Sequence, residues 1–343
     1  MTLIRIWAYD GILASGVAGP VDVFTAANSL TARRGETGDP APIVWRVETP
    51  DGRAVRTASG RSIDADGIID GHRPADAVLL TAPFVADMDA ALARRPVMAA
   101  LAEALRRRHA AGSVIATYCT GSYVLAEAGL LDGRIATTHW DRRADFARRY
   151  PRVTLRAAEV LTEQDGILCG GAVTSFLLLA LRLVERFAGD ALAADTARLL
   201  LIERNRASQA SFADLRQEHG HSDPLVARAQ QRMEGMLHQG CRLPDLAAGL
   251  GVSERTLNRR FRQAAGMAPL DYLQALRVEA AKRLLESGGI TLDEICHRVG
   301  YGDVSTFRRL FKRKTGLTPR GYQQRFANPG LTSSPPRSSP LPD

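Results

Sequence analysis

The last third of this 343-residue sequence contains one segment twice. A shift of 50 residues superimposes four pairs of identical residues. Phe261, Gly266, Pro269 and Tyr272 fall on Phe311, Gly316, Pro319 and Tyr322 in that order. Upstream the shift is 49, which places Leu246, Ala247 and Gly251 on Ile295, Cys296 and Gly300. The second copy therefore has one extra residue in its central turn, and we expect two copies of one helical unit.

Each copy is predicted to form a helix, a glycine-centred turn and a second helix. The two sequences are LPDLAAGLGVSERTLNRRFRQAAG and TLDEICHRVGYGDVSTFRRLFKRKTG. Ser253 and Asp303 can cap the second helix of their copy, because a side-chain oxygen at that position accepts from free amides of the first turn. Apolar residues at i and i+4 bury one face of this helix, Leu257 with Phe261 and Phe307 with Phe311.

The opposite face of each second helix is polar and basic, which suits contacts with base edges and phosphates. We predict that DNA is contacted by Arg255, Thr256, Asn258, Arg259 and Arg262 in the first copy and by Ser305, Thr306, Arg308, Arg309, Lys312 and Arg313 in the second. Residues 271–286 have the pattern of a helix that joins the two units. Two rigidly joined units would enter successive major-groove turns about 34 Å apart.

The charge distribution agrees with a polyanionic partner. The formal net charge is +8 and the pI is about 9.7. Residues 226–343 carry 19 Lys and Arg against 10 Asp and Glu, whereas residues 1–225 carry 26 against 27. A basic surface alone also fits an anionic membrane, an RNA or a solvated helix face. The repeated helix pairs favour double-stranded DNA, because the other interpretations do not require them.

The first 200 residues predict a three-layer α/β domain, because short β-rich runs alternate with longer helical patterns. The expected strands are mostly apolar on both faces, as buried parallel strands are, and comprise residues 3–9, 43–49, 76–82, 113–118 and 166–171. The expected helices comprise residues 20–33, 90–109, 121–128, 140–150 and 174–187. The apolar run at 176–184 is shorter than the roughly 20 residues of a bilayer span, so we expect no membrane protein.

Cys119 follows the strand SVIATY and precedes a helix that begins near Gly121. Such a turn exposes a nucleophile, and a helix amino terminus lowers the pKa of a thiol. His139 can meet Cys119 if the chain between them folds back, with Asp141 or another carboxylate orienting the imidazole. The same residues also fit a buried cysteine and a core histidine without catalytic function. Cys169, within ILCGG, is expected to be structural.

Changes in composition predict four segments. Residues 1–204 form the α/β domain, the polar stretch 205–225 is the linker in which the domains rearrange, and residues 226–327 form the DNA-binding domain. The Pro- and Ser-rich tail 328–343 is expected to be disordered. The four cysteines include no CxxC pair, so neither a disulfide framework nor a zinc site is expected.

Residues 226–326 resemble the AraC/XylS-type DNA-binding domain with its paired helix-turn-helix units. The stretches VGYGDVSTFRRLFKRKTGLTPRGYQQRF and RVEAAKRLL carry this resemblance. The TYCTGS turn, the TTHW segment and the order of elements resemble the PfpI-type superfamily, which implies a flavodoxin-like, class I glutamine amidotransferase-like fold. With GPVDVF and LAEAGLLDGRIATTHW added, the chain resembles the GlxA family of transcriptional regulators.

The resemblance implies a sequence-specific transcriptional regulator, an activator rather than a repressor, that responds to a small metabolite. Its expected partners are operator DNA, RNA polymerase and a second copy of the chain, with no cofactor, in the cytoplasm. Enzymes of the superfamily usually place a Glu before the PVDVF-like helix, but residues 15–19 contain no carboxylate. We therefore expect no catalysis, with Cys119 and His139 vestigial and Cys119, Thr120, His139 and Trp140 near the ligand. The alternative is a cysteine-dependent amidase or hydrolase that carries a DNA-binding tail.

Overall fold

The computed structural model describes residues 1–34, 42–85, 87–93, 95–204, 209, 223–237 and 242–326. The chain divides into two compact units, Met1–Gln209 and Ala210–Asp343. The predicted tail and Cys241 lie outside the described residues, as does most of the predicted linker. No helix within the described residues is long and apolar enough to cross a bilayer.

Unit 1, Met1–Gln209, is built from alternating strands and helices. Its strands are β1 Thr2–Trp7, β2 Ile43–Thr49, β3 Val55–Arg56, β4 Ser62–Ile63, β5 Gly67–Ile68, β6 Ala77–Leu80, β7 Val114–Tyr118, β8 Ile135–Ala136, β9 Thr154–Leu155, β10 Leu161–Gln164 and β11 Ile167–Gly170. Its helices are α1 Ser15–Arg34, α2 Met88–Leu92, α3 Arg95–Ala110, α4 Gly121–Glu127, α5 Arg143–Arg149, α6 Ser175–Ala188 and α7 Asp190–Leu199.

The main sheet has the strand order β10-β11-β7-β6-β1-β2-β5 in the described part of the chain. Its strand pairs are parallel, except that β10 runs antiparallel to β11. Every residue of β6, β7 and β11 is buried, as expected for parallel strands covered on both faces. The predicted flavodoxin-like α/β class is confirmed, and all five predicted strands are present.

Several element boundaries differ from the predictions. The helix expected at 90–109 is two helices, α2 and α3, and Pro96 lies in the first turn of α3, where a missing amide is tolerated. Helix α1 begins at Ser15 rather than near Pro20. The segment expected to be helical from Trp140 starts as a 3-10 turn, Trp140–Arg142, before α5. Strand β10 and helix α7 were not predicted.

Two glycines let α1 approach the rest of unit 1 closely. A Cβ atom on Gly16 would lie 1.7 Å from the Tyr118 hydroxyl oxygen, and one on Gly19 would lie 2.2 Å from the Phe176 ring. The Tyr118 and Phe176 rings pack edge to face, with centroids 5.6 Å apart. Helix α1 therefore rests directly on the end of β7 and on the start of α6, beside the turn that contains Cys119.

Unit 2, Ala210–Asp343, is helical where it is described. Its helices are α8 Pro224–Gly235, α9 Leu243–Gly249, α10 Glu254–Ala265, α11 Pro269–Ser287, α12 Leu292–Arg298, α13 Val304–Thr315 and α14 Pro319–Phe326. The pairs α9–α10 and α12–α13 are the two helix-turn-helix units. The connecting turns are residues 250–253 and 299–303, so the predicted extra residue in the second turn is confirmed.

Each helix-turn-helix unit has its own apolar core, and α11 contributes to both. Leu257 and Phe261 are buried in the first core, and Phe307 and Phe311 are buried in the second. The amino-terminal half of α11 supplies Tyr272, Leu273 and Leu276 to the first core, and its carboxy-terminal half supplies Val278, Ala281 and Leu285 to the second. The predicted connecting helix, α11, therefore holds the two helix-turn-helix units together, because each half of it is buried in one of their cores.

Candidate ligand site and candidate DNA interface

Cys119 lies at a sharp turn between β7 and α4 and has a backbone φ of 53°. This left-handed conformation is uncommon for a residue with a side chain, and such strain is typical of functional turns. The Cys119 amide donates to the Gly170 carbonyl, 2.8 Å away. The Thr120 hydroxyl donates to the Pro83 carbonyl at 2.5 Å. The backbone geometry of a nucleophile elbow is therefore present.

The thiol at this elbow is not activated. Cys119 is only 6% exposed, and burial raises the pKa of its thiol to about 11. The hydrogen bonds from Thr120 and the positive charge of Arg142 offset this effect only in part. At neutral pH the side chain is a protonated thiol, which is a weak nucleophile.

Within the described residues, no hydrogen bond joins the side chains of Cys119 and His139. His139 Nδ1 instead accepts from the Asp141 backbone amide at 3.3 Å, so that His139 caps the 3-10 turn. The imidazole also stacks at a tilt on the Trp140 ring, with centroids 5.1 Å apart. Burial lowers the pKa of His139, which favours a neutral ring. The structure thus does not form the Cys-His pair, and the Asp141 carboxylate does not hydrogen-bond the imidazole.

Tyr118 fills the space beside the elbow that Gly16 leaves open. Its hydroxyl is buried and makes no hydrogen bond of normal geometry to any described residue. Burial raises the pKa of this phenol above its usual range. Where residues 15–19 supply no carboxylate, a neutral hydroxyl lies against the small Gly16 instead.

The predicted ligand residues are brought to one region by hydrogen bonds that run through Thr138. Its hydroxyl donates to the Cys119 carbonyl at 3.2 Å, and the Ser122 hydroxyl donates to Thr138 Oγ1 at 2.8 Å. The segment that carries His139 and Trp140 is thereby held beside the elbow. Cys119 and Thr120 are buried, whereas His139 and Trp140 are half-buried.

Both predicted recognition helices are capped as the sequence indicated. The Ser253 hydroxyl accepts from the Thr256 amide at 3.2 Å, and the Asp303 carboxylate accepts from the amides of Ser305 and Thr306 at 3.2 and 2.7 Å. Helices α10 and α13 each end at a glycine in the left-handed conformation, with φ of 68° at Gly266 and 78° at Gly316. The two copies therefore share their local geometry from cap to cap.

The polar faces of these helices are exposed, with small differences between the copies. In α13 all of the predicted residues, Ser305, Thr306, Arg308, Arg309, Lys312 and Arg313, are exposed. In α10, Arg255, Arg259 and Arg262 are exposed, whereas Thr256 and Asn258 are half-buried. The Thr256 hydroxyl points toward the capping residue of α10, because it lies 2.9 Å from the Ser253 hydroxyl.

Arg260 lies in α10 but serves a different purpose from the exposed arginines of that helix. Its guanidinium makes two hydrogen bonds to the Asp223 carboxylate, at 2.6 and 2.8 Å. Asp223 also caps α8 by accepting from the Leu225 and Val226 amides. The pair fixes the start of α8 to α10, a contact that helical spacing alone did not predict.

Comparison with known proteins identifies both units. The profile of the DJ-1/PfpI family matches residues 17–186, and a helix-turn-helix domain profile matches residues 246–325. The HTH-type transcriptional regulator ArgR of Pseudomonas aeruginosa is 32% identical over 228 residues, 65% of this chain and 68% of that protein. The HTH-type transcriptional regulator GlxA of Rhizobium meliloti is 29% identical over 223 residues, 64% of this chain and 68% of that protein.

A solved structure agrees on the fold of unit 1. The crystal structure of a putative transcriptional regulator from Vibrio parahaemolyticus covers 58% of this chain and 98% of its own, with a TM-score of 0.50 and 18% identity. Both of these relatives match across unit 1 and unit 2, and both are named as transcriptional regulators. The chain belongs to the family of transcriptional regulators that join a DJ-1/PfpI domain to an AraC-type helix-turn-helix domain.

Proposed function

We propose that α10 and α13 contact adjacent major-groove segments of an operator, and that unit 1 controls transcription by binding a small metabolite without transforming it. The DNA-contacting residues are those predicted from the sequence on the exposed faces of the two helices. We assign sensing to the predicted domain 1–204 and DNA binding to the predicted domain 226–327. We further propose that the protein acts in the cytoplasm as a homodimer that recruits RNA polymerase.

The observation that carries the DNA-binding proposal is that arginines on the recognition helices are exposed and lack ion-pair partners among the described residues. Arg259, Arg262 and Arg308 are exposed and form no ion pair with any described residue. Two half-buried arginines of unit 1 are neutralised instead, Arg149 by two aspartates and Arg182 by two glutamates. Unpaired guanidinium groups on a capped, exposed helix face are available for phosphates and guanine edges.

The test is a gel-shift titration on an operator selected from a random DNA pool with the full chain. We expect Arg259→Ala and Arg308→Ala each to weaken specific binding by about 1–3 kcal/mol, roughly 5- to 150-fold, if each loses a base contact. Arg186→Ala, which removes an exposed but paired arginine of unit 1, is the matched control and should bind as the unsubstituted chain does. Unchanged affinity in both recognition-helix variants would refute the assignment.

The absence of catalysis is supported by the chemistry around Cys119. The thiol is protonated at neutral pH, no imidazole hydrogen-bonds it within the described residues, and residues 15–19 supply no carboxylate. We expect Cys119→Ala to retain a metabolite response in a reporter assay, whereas the double substitution Arg308→Ala Arg309→Ala silences transcription. A response lost in Cys119→Ala with ligand binding intact would instead favour the hydrolase alternative.

A further inference from the structure

Gln209 places its side chain in a socket inside unit 1. The residue is only 1% exposed. Its backbone amide donates to the Ala158 carbonyl at 2.9 Å. Its side-chain Nε2 donates to the carbonyls of Thr138 and Ala157 at 2.9 and 2.8 Å. A residue of the predicted linker is thus bound into the domain that precedes it.

The socket offers more acceptors than a carboxamide can satisfy. Besides the two carbonyls, Thr137 Oγ1 and the Glu159 carbonyl each lie 3.3 Å from Gln209 Nε2, which has only two N–H donors. The other end of the same carboxamide is poorly accommodated, because Gln209 Oε1 is buried without a hydrogen-bond partner among the described residues. A buried oxygen without a donor is unfavourable. The socket therefore accepts the nitrogen of Gln209 well and its oxygen badly.

A group that carries several N–H donors and no acceptor would fit these surroundings better. A primary ammonium has three donors and a guanidinium has a fork of donors, and neither brings an oxygen that needs a partner. Main-chain carbonyl dipoles that converge on one point also favour positive charge there. The geometry distinguishes such groups from a quaternary ammonium, which has charge but no N–H.

We propose that this socket is a subsite for the primary ammonium or guanidinium group of a ligand, and that Gln209 fills it when the ligand is absent. The subsite adjoins the elbow, because Thr138 accepts from Gln209 through its carbonyl and donates to the Cys119 carbonyl through its hydroxyl. Gly171 closes the socket on another side, and a Cβ atom there would lie 2.3 Å from Gln209 Nε2.

Competition for this socket also provides a signal to unit 2, a step that rests on the proposed function. Gln209 precedes Asp223 in sequence by 14 positions, and Asp223 is bound to Arg260 of the first recognition helix. A ligand that replaces Gln209 removes the hydrogen bonds that hold this residue in unit 1. The state with Gln209 in the socket and the state with Gln209 displaced differ in ligand affinity, so ligand binding would then change DNA affinity.

The test is calorimetric titration of the full chain with n-butylammonium and n-butylguanidinium, and with tetramethylammonium as a cation without N–H donors. Gln209→Ala empties the socket, so we expect it to bind the first two about tenfold or more tightly than the unsubstituted chain, which must first displace Gln209. Gly171→Ala added to Gln209→Ala should abolish this binding. Gln231→Ala, an exposed glutamine of α8, is the matched control and should leave binding unchanged.

Equal affinity of Gln209→Ala and the unsubstituted chain, or equal binding of tetramethylammonium, would overturn the subsite. Should Gln209→Ala fail to fold, the side-chain amide signal of Gln209 in the unsubstituted chain gives the answer by NMR. n-Butylguanidinium should convert this buried, slowly exchanging amide to a rapidly exchanging one, and an unaffected amide refutes the proposal. Cation binding that leaves transcription unchanged would refute effector control but not the subsite. A metabolite response with no cation binding would refute the subsite but not effector control.

Discussion

The state of Cys119 predicts slow alkylation at neutral pH. With a pKa of about 11, roughly one Cys119 thiol in 3,000 is ionised at pH 7.5, against about one in ten for a free cysteine. The thiolate population is thus about 300-fold smaller. The greater nucleophilicity of a more basic thiolate recovers roughly 10- to 20-fold, so Cys119 should react about 15- to 30-fold more slowly than free cysteine. Burial of the sulfur adds to this slowing.

The assay follows iodoacetamide labelling of the Cys119 peptide by mass spectrometry from pH 6.5 to 10. The rate should rise about tenfold per pH unit without reaching a plateau, because the thiol remains mostly protonated throughout. The same peptide in the denatured chain gives the free-cysteine rate as an internal control. A rate that levels off below pH 8 in the native protein would show an activated thiolate and refute the reasoning, including the absence of catalysis.

Three further predictions concern stability. Arg5→Met should cost about 3–5 kcal/mol in unfolding free energy, because it leaves the Glu48 carboxylate, 1% exposed, without its cation, and adding Glu48→Gln should recover most of the loss. Equal loss in the single and double variants contradicts this. Burial raises the pKa of Glu48, so the folded state binds the Glu48 proton more tightly than the unfolded state does. This group therefore makes the free energy of unfolding fall as pH rises above 4.5. In urea titrations, Glu48→Gln should make the free energy of unfolding less dependent on pH. Arg277→Met should lower the melting temperature of unit 2 and weaken DNA binding. The reason is that the Arg277 guanidinium donates to the Leu237 carbonyl at 3.1 Å and lies 5.2 Å from the Tyr301 ring centre. An unchanged melting temperature would contradict a stabilising role for these two contacts.

Elements were predictable where one periodicity dominates. Strands β6, β7 and β11 are apolar on both faces, and the two helix-turn-helix units repeat with capping residues in place. Strand β10, Leu161–Gln164, was missed because its residues alternate too little, yet a signal was present. Asp165 and Gly166 have φ of 50° and 74°, and an Asp-Gly pair between two short runs indicates a tight hairpin.

The chemistry of the elbow depended on contacts between segments far apart in sequence. Nothing near Cys119 in the chain indicates that Tyr118 would lie against Gly16, or that His139 would cap a 3-10 turn instead of meeting the thiol. Gln209 was assigned to a polar linker from composition, whereas its side chain is buried in unit 1. Local pattern determined the fold class, and long-range packing determined how the site can act.

The central claim is that the two helix-turn-helix units contact separate, adjacent segments of one operator. Methylation-interference footprinting on a selected operator tests it directly, with the unsubstituted chain, Arg259→Ala and Arg308→Ala compared at equal occupancy. We expect two guanine-contact clusters roughly one helical turn, about 10 base pairs, apart, with each substitution removing a different cluster. Loss of the same cluster in both variants, or of neither, would contradict it.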